Sequence, residues 1–411
     1  MKIRSITSFY HPGVPNADQT LDQVASFSGV AQRRYQDAGY EVQTTRLATT
    51  PFHRTLKILT ADAAVEYARK MQAQAQTHGF GYLSLGPAQA SSPESYDLIL
   101  PMLAATNSVF LTAEIANQVE GVMLKYVKAC GKIISEAAAI TADGFTNLRF
   151  SALANVAPYT PFFPAAYASE DQPAFALAIE AADLALGIFQ SSRSLESART
   201  RLVQSLESQA AALTVIGEDL AHSFKIKFKG IDISLAPFPQ VWCSLGAALE
   251  KLGPPKLGLS GSLAAAAFLA DTLDRGQWKR TGFNGMMLPV LEDSTLADRA
   301  AGGTLTLKDL LLYSSVCGTG LDTVPLPGDA SAEQLAAVLV DVAALSMRLH
   351  KPLTARLMPI PGMKAGDVIH FDFDYFADGK VMDLPALPLR GVLAGDENFI
   401  LNPRDTRPAG R

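Results

Sequence analysis

Residues 2–47, KIRSITSFYHPGVPNADQTLDQVASFSGVAQRRYQDAGYEVQTTRL, decide the fold class. Lys2 to Phe9 is short and rich in β-branched and aromatic residues, as a strand requires. In Leu21 to Ala38 the apolar positions Val24, Phe27, Val30 and Ala31 recur at helical spacing. Tyr40 to Leu47 alternates like a second strand. The unit strand–helix–strand brings two parallel strands together through a helical crossover.

The same alternation continues outward. Ala61 to Thr77 and Val119 to Ala139 predict helices. Phe80 to Leu85, Val109 to Ala113 and Leu148 to Val156 predict strands. The middle of the chain predicts two long helices, Pro173 to Phe189 and Ser194 to Ile216, with no strand between them. Strands are then expected at Gly230 to Leu235, Met286 to Val290, Pro352 to Met358 and Asp367 to Phe373. The helices between them are expected at Val241 to Leu252, Ser262 to Leu273, Leu307 to Ser315 and Ala332 to Leu349. Such a pattern predicts an α/β protein in which helices surround a largely parallel sheet or barrel. No Gly-, Ser- or Pro-rich linker divides the chain, so residues 1–384 are expected to form one domain. Residues 385–411, rich in Pro, Gly and Arg, are expected to form a surface tail.

Composition excludes several function classes. Of 411 residues, 48% are apolar and 18% charged, enough for a large core and unlike a disordered chain. The net charge of −5, with both signs mixed, lacks the basic stripe of a nucleic-acid-binding protein. Met1 to Ile6 does not resemble a signal peptide, and no apolar run is long enough to span a membrane. The three cysteines, Cys130, Cys243 and Cys317, have no zinc-clip or redox-pair spacing, and their sparse, odd count fits the cytoplasm. No Gly-x-Gly-x-x-Gly turn marks a nicotinamide site and no Walker loop is present, so no cofactor is assigned.

Candidate site residues lie where charged or nucleophilic side chains interrupt apolar strands or sit in the turns that end them, because strand ends gather on one face of α/β folds. Arg149 and Asn155 bracket the strand around Ala152. Each serves equally as a hydrogen-bonded brace or as a ligand contact. Asp232 and Ser234 sit two apart on one face of a strand, with Asp232 as acid or base; the alternative is that Asp232 caps a neighbouring turn. Ser260 and Ser262 open a helix whose amides can bind an anion; an ordinary Ser N-cap explains the pattern equally well. Glu292, at the end of Met286 to Val290, is a further acid–base candidate; the alternative places the pair Glu292-Asp293 at a helix start. Cys317, between a helix and Gly318-Thr319-Gly320, is the nucleophile candidate, against the alternative of a buried packing cysteine. Arg356 is an isolated charge in Leu353 to Met358 and needs an ionic partner or an anionic ligand. His370, Asp372 and Asp374 share one face of a regular strand and raise the question of a metal site, against a solvated polar face.

Taken in order, Ala154-Asn155, Asp232-Ile233-Ser234-Leu235-Ala236-Pro237, Leu249 to Gly253, Gly282 to Asp293, Cys317 to Asp322 and Lys364 to Asp367 resemble domain-of-unknown-function family 711 over nearly the whole chain. The resemblance implies a large α/β barrel similar to that of pyruvate formate-lyase and anaerobic ribonucleotide reductase. It also implies that Cys317 lies on a loop entering the barrel. Glycyl-radical chemistry requires a glycine in an Arg–aliphatic–small–Gly–aromatic setting, and Arg390-Gly391-Val392 does not provide it. Family members carry His before the glycine corresponding to Gly261, where this chain has Ser260. These readings lead to an expected enzyme acting on a small polar metabolite in the barrel interior, without a radical or redox cofactor. The alternatives are a non-catalytic metabolite sensor and an oligomer-forming scaffold, the latter assembling with further copies of itself. A small-molecule ligand is the expected partner, with neither nucleic acid nor membrane.

Overall fold

The computed structural model describes residues 1–316 and 319–403. Cys317 therefore lies outside the described residues. The first half builds the alternation β1 (Lys2–Tyr10), α1 (Ala17–Asp37), β2 (Val42–Thr49), α2 (Ala61–Thr77), β3 (Tyr82–Ala88), α3 (Ser95–Ala105) and β4 (Val109–Asn117), as expected except for α3, which the sequence reading did not place. Where a helix was expected from Val119 to Ala139, the chain first forms the short β5 (Gly121–Met123) and then α4 (Leu124–Ala138), and β6 (Phe150–Ala154) follows. β1, β2, β3, β4 and β6 are parallel neighbours in that order.

The second half begins with a correction. Where one long helix was expected over Pro173 to Phe189, the chain forms β7 (Ala174–Glu180) and then α5 (Ala182–Ser191). All seven residues of β7 are buried, so the strand carries no alternation to distinguish it from a helix. There follow α6 (Leu195–Phe224), β8 (Lys227–Ala236), α7 (Leu245–Glu250), α8 (Ser262–Arg275), α9 (Ser294–Ala301), α10 (Leu307–Ser314), β9 (Gly320–Pro327), α11 (Ala332–Leu349) and β10 (Leu353–Ile360). The sheet runs β8-β7-β1-β2-β3-β4-β6-β10-β9. It is mixed: β7 meets β1 and β10 meets β6 antiparallel, and the other junctions of the path are parallel.

Met286 to Val290, expected as a strand, is an extended segment with isolated contacts. Ile231 bridges Arg280 on the β8 edge and Pro289 bridges Asp322 on the β9 edge, both in parallel sense. Met287 donates to the Ser234 carbonyl and Val290 to that of Asp322, at 3.1 and 3.0 Å. Residues 280–290 thus touch both edges of the path, and Pro289, which lacks an N–H, limits a regular ladder. The strand expected at Asp367 to Phe373 is also corrected. Only β11 (Val368–Ile369) is regular, and it pairs with β12 (Gly379–Lys380) in a separate two-stranded ribbon. In the tail, β13 (Asn398–Phe399) pairs with β5, and Lys128 Nζ donates to the Ala394 carbonyl at 2.7 Å. Among the described residues, no helix is long and apolar enough to cross a membrane.

Both faces of the sheet are covered. Ile3, Ile6 and Tyr10 of β1 pack with Val24, Phe27 and Ala31 of α1 in the large core. Phe9, Ala48, Phe110 and Ala176 instead pack against Tyr159, Phe163 and Ala166 from the β6–β7 connection. That connection fills the side of the sheet opposite the helices and forms one wall of the site.

Candidate functional site

Three irregularities in strand register mark the site. Arg4 is left without a partner where β1 slips against β7 between Ile3 and Ser5. Arg356 falls where β10 slips against β9, opposite Asp322 and Thr323. Glu180 and Ala236 end the irregular stretch of β7 against β8. Bulges re-aim side chains out of the regular alternation, and here they bring charged groups to one place.

Glu292 is the centre of the cluster. Its Oε2 accepts from Arg4 Nη2 at 2.6 Å and its Oε1 from Arg356 Nη2 at 2.8 Å. Arg4 also donates to Glu180 at 3.0 Å, and Arg356 Nε to Asp322 at 2.5 Å. All five side chains are buried or nearly so; Glu292, at 12% exposure, lines a cavity together with Arg4, Asp322 and Arg356. Burial pushes the Glu180 and Asp322 carboxyls up, and Arg4 and Arg356 respectively pull them back. Burial pulls Arg356 down, but Asp322 and Glu292 hold it above its ordinary value.

The cavity has a volume of about 80 Å³. Tyr82, Phe110, Phe162 and Phe163 form aromatic walls, and Phe373 and Tyr375 close it from the segment between β11 and β12. The Arg4 guanidinium lies 4.9 Å from the centre of the Tyr375 ring. A third arginine, Arg46 of β2, lines the same cavity. Its Nε donates to Thr44 Oγ1 at 2.9 Å, and its guanidinium stands 5.3 Å from the Phe163 ring centre and 5.7 Å from that of Tyr82. Among the described residues Arg46 has no carboxylate partner. Burial, then the nearby Arg4 charge, brings its pKa down to about 10.

Of the residues singled out from sequence, Glu292 and Arg356 meet directly. Asp232 and Ser234 lie elsewhere. The buried Asp232 carboxylate accepts from Ser234 Oγ and from the amides of Phe283 at 2.7 Å and Asn284 at 2.9 Å. It caps the turn that leads into residues 286–290. Gly282 at φ +75° permits that turn, since a Cβ there would stand 2.1 Å from Asp232 Oδ2. Desolvation raises Asp232 to about 6 despite its three donors. Arg149 is buried and donates to the carbonyls of Leu103 at 2.9 Å and Val109 at 3.2 Å, bracing the end of α3.

Asn155 accepts from Gln118 and donates to Ser346 of α11, each at 2.9 Å. Ser260 is exposed, and Ser262 is the buried first residue of α8. His370 is exposed and pairs with Asp378 at 2.6 Å, while Asp372 and Asp374 are exposed. No group of three or more His, Cys, Asp or Glu among the described residues is arranged to hold a metal ion.

Sequence reasoning missed Arg4, Arg46, Glu180 and Asp322 as site residues. Arg4 carries the same signal that singled out Arg356: one charge inside an apolar strand, between Ile3 and Ile6. Asp322 likewise sits between Leu321 and Val324.

The chain matches the family described as Uncharacterised ACR (DUF711) over residues 1–374. A UPF0210 protein of Pyrobaculum arsenaticum is 31% identical over 378 residues, which cover 86% of this chain and 83% of that protein. A UPF0210 protein of Acetivibrio thermocellus is 26% identical over 404 residues, covering 90% and 88% respectively. One of Oenococcus oeni is 27% identical over 371 residues, covering 85% and 81%.

Proposed function

This chain belongs to the family Uncharacterised ACR (DUF711), and on that premise we propose that it is an enzyme acting on a small polar metabolite in the cavity around Glu292. The observation that carries the reading is the placement of Glu292. A carboxylate bound to two arginines, one per oxygen, faces a partly enclosed cavity with aromatic walls. Buried ionic groups cost folding free energy, and they cluster where binding or proton transfer uses them. Glu292 is the proton-transferring group in this reading, and Arg4 and Arg356 fix its orientation.

The same reading takes the nine-strand path and residues 280–290 together as a barrel similar to that of pyruvate formate-lyase, with the cavity in its interior. The bridges of that segment to both β8 and β9 support it. Asp232 and Ser234 then act by holding the closing segment rather than by touching the metabolite. Cys317 keeps its proposed place as nucleophile.

The test is a thermal-shift screen against small polar metabolites, with Ala236→Leu as a variant that fills the cavity. A ligand at 100 times its dissociation constant stabilises by about 2.7 kcal/mol. Compounds that shift the wild type and not Ala236→Leu are then incubated with the protein, and products are sought by mass spectrometry. Conversion that Glu292→Asp abolishes supports the enzyme; the absence of any cavity-dependent ligand sinks it. Binding without turnover is the second reading. One observation favours it: both Glu292 oxygens already accept from arginines, as in a structural brace.

A further inference from the structure

We propose that the molecule bound in this cavity is a small monocarboxylate and that Arg46 is the residue that holds its carboxylate. The inference rests on the preceding reading of the cavity as a metabolite site and names the chemistry of the metabolite.

The three arginines of the cavity are not equivalent. Arg4 and Arg356 are saturated, because between them they contact Glu180, Glu292 and Asp322. Arg46 contributes only its Nε–H, to Thr44, and its Nη groups find no acceptor among the described residues. Yet its side chain is not free to swing into solvent. The Thr44 hydroxyl fixes the Nε edge, and the rings of Tyr82 and Phe163 stand near the guanidinium. Its pKa is also depressed by burial and by Arg4. Glu292 acts on this half-buried cation from a distance without bonding to it, so an anion that reaches the open Nη groups gains a direct charge-assisted contact that the chain itself does not supply.

The geometry selects among anions. An oriented guanidinium with its Nη groups open presents parallel N–H donors that match the two oxygens of a carboxylate. Glu292 and Asp322 also line the cavity and disfavour a ligand of high negative charge such as a phosphate dianion. A single unpaired cation is complementary to a single negative charge. The space of about 80 Å³ suits a short chain, and Phe110 and Phe163 provide apolar surface for its body.

The test compares acids with their neutral amides. Propionate and lactate, propionamide and lactamide, and inorganic phosphate are titrated into the full-length protein, with binding read by calorimetry and by melting temperature. The expected result is saturable binding of the acids, at least about tenfold weaker binding of the amides, and a loss of about tenfold or more in Arg46→Met. Arg46→Lys, which keeps the charge and loses the fork, should fall between. Arg46→Met removes no ionic partner of any carboxylate and should fold; its circular dichroism is compared with that of the wild type.

Equal binding of acids and amides overturns the inference, as does wild-type affinity in Arg46→Met or preference for phosphate. If none of the acids binds, the monocarboxylate assignment falls. The metabolite screen with Ala236→Leu then decides separately whether the cavity is a metabolite site at all.

Discussion

Replacing Arg356 by methionine should destabilise the protein far more than the same replacement of Arg46. Arg356 is 7% exposed in its side chain and is the only ionic partner of Asp322 among the described residues; it also holds one oxygen of Glu292. Methionine fills most of the volume but leaves Asp322 as a buried, unpaired carboxylate. Removing one partner of a buried pair costs about 3–5 kcal/mol. Glu292 keeps Arg4, and Asp322 retains 16% exposure, so the lower end of that range, about 3 kcal/mol, applies. With an unfolding entropy of about 2.1 cal/mol/K per residue, the 411-residue chain has about 0.9 kcal/mol/K, and the melting temperature should fall by about 3–4 °C. Urea unfolding monitored by circular dichroism and fluorescence measures the loss. Adding Asp322→Asn to Arg356→Met should recover at least half of it, because the uncompensated charge is gone. Arg46→Met should stay within about 0.5 kcal/mol of wild type or exceed it in stability. If Arg46→Met costs as much as Arg356→Met, or if Asp322→Asn restores nothing, the distinction between saturated and open arginines is wrong.

Asp232 is raised in the folded protein from 3.8 to about 6, chiefly by desolvation. Between those values the folded state binds more protons than the unfolded state, so this group's contribution weakens stability as pH rises through about 4 to 6 and is constant above; the span corresponds to about 3 kcal/mol. Urea midpoints of wild type and Asp232→Asn across that range should differ by this slope, and parallel profiles would remove the assignment. Gly282→Ala adds a methyl 2.1 Å from Asp232 Oδ2 at φ +75° and should cost about 3 kcal/mol or more by chemical denaturation; a neutral outcome would show that the turn is not held by Asp232. Cys130 and Cys243 are buried, and burial pushes the Cys243 thiol up to about 12 and the Cys130 thiol up as well. Alkylation of the native chain at pH 8, mapped by mass spectrometry, should therefore spare both, and labelling at Cys317 that titrates well below about 8.5 would support the nucleophile reading.

The alternation of strand and helix was legible in the first half where a helix has one buried and one exposed face, whereas α3, nearly all apolar and carrying Pro101, showed no such period and was not read. Val24, Phe27, Ala31 and Tyr35 of α1 show the period directly. It failed at Ala174–Glu180 because a strand buried on both faces has no period to read. The site was legible only through charge. Arg356 and Glu292 stood out as ions against apolar neighbours, and they do meet. Asp232 carried the same signal, but its partners are a hydroxyl and two backbone amides, which no spacing of charges reveals. Arg46 had no signal at all, because it follows Thr44 and Thr45 in a strand of ordinary polarity. Its role depends on Phe163, more than 100 residues later, and on what Arg4 and Arg356 do not leave available.

Asp232 and Glu292 are nonetheless connected through the chain between them. Asp232 fixes the turn at Phe283 and Asn284, and Met287 and Val290 then tie the segment to β8 and β9. On the far side of Glu292, Asp293 caps α9 through the amides of Thr295 and Leu296 and also accepts from Ser244 and Gly246. Glu292 therefore sits between two buried carboxylates that bond mainly to backbone, and those bonds set the segment without drawing on any arginine. The arginines are left to orient Glu292 where it faces the cavity. Two of them suffice for that, since Glu292 has two oxygens and Arg4 and Arg356 take one each. A third cation, Arg46, lines the same cavity and bonds to no carboxylate among the described residues, and in the proposed reading its open Nη groups meet a counter-charge brought by the ligand.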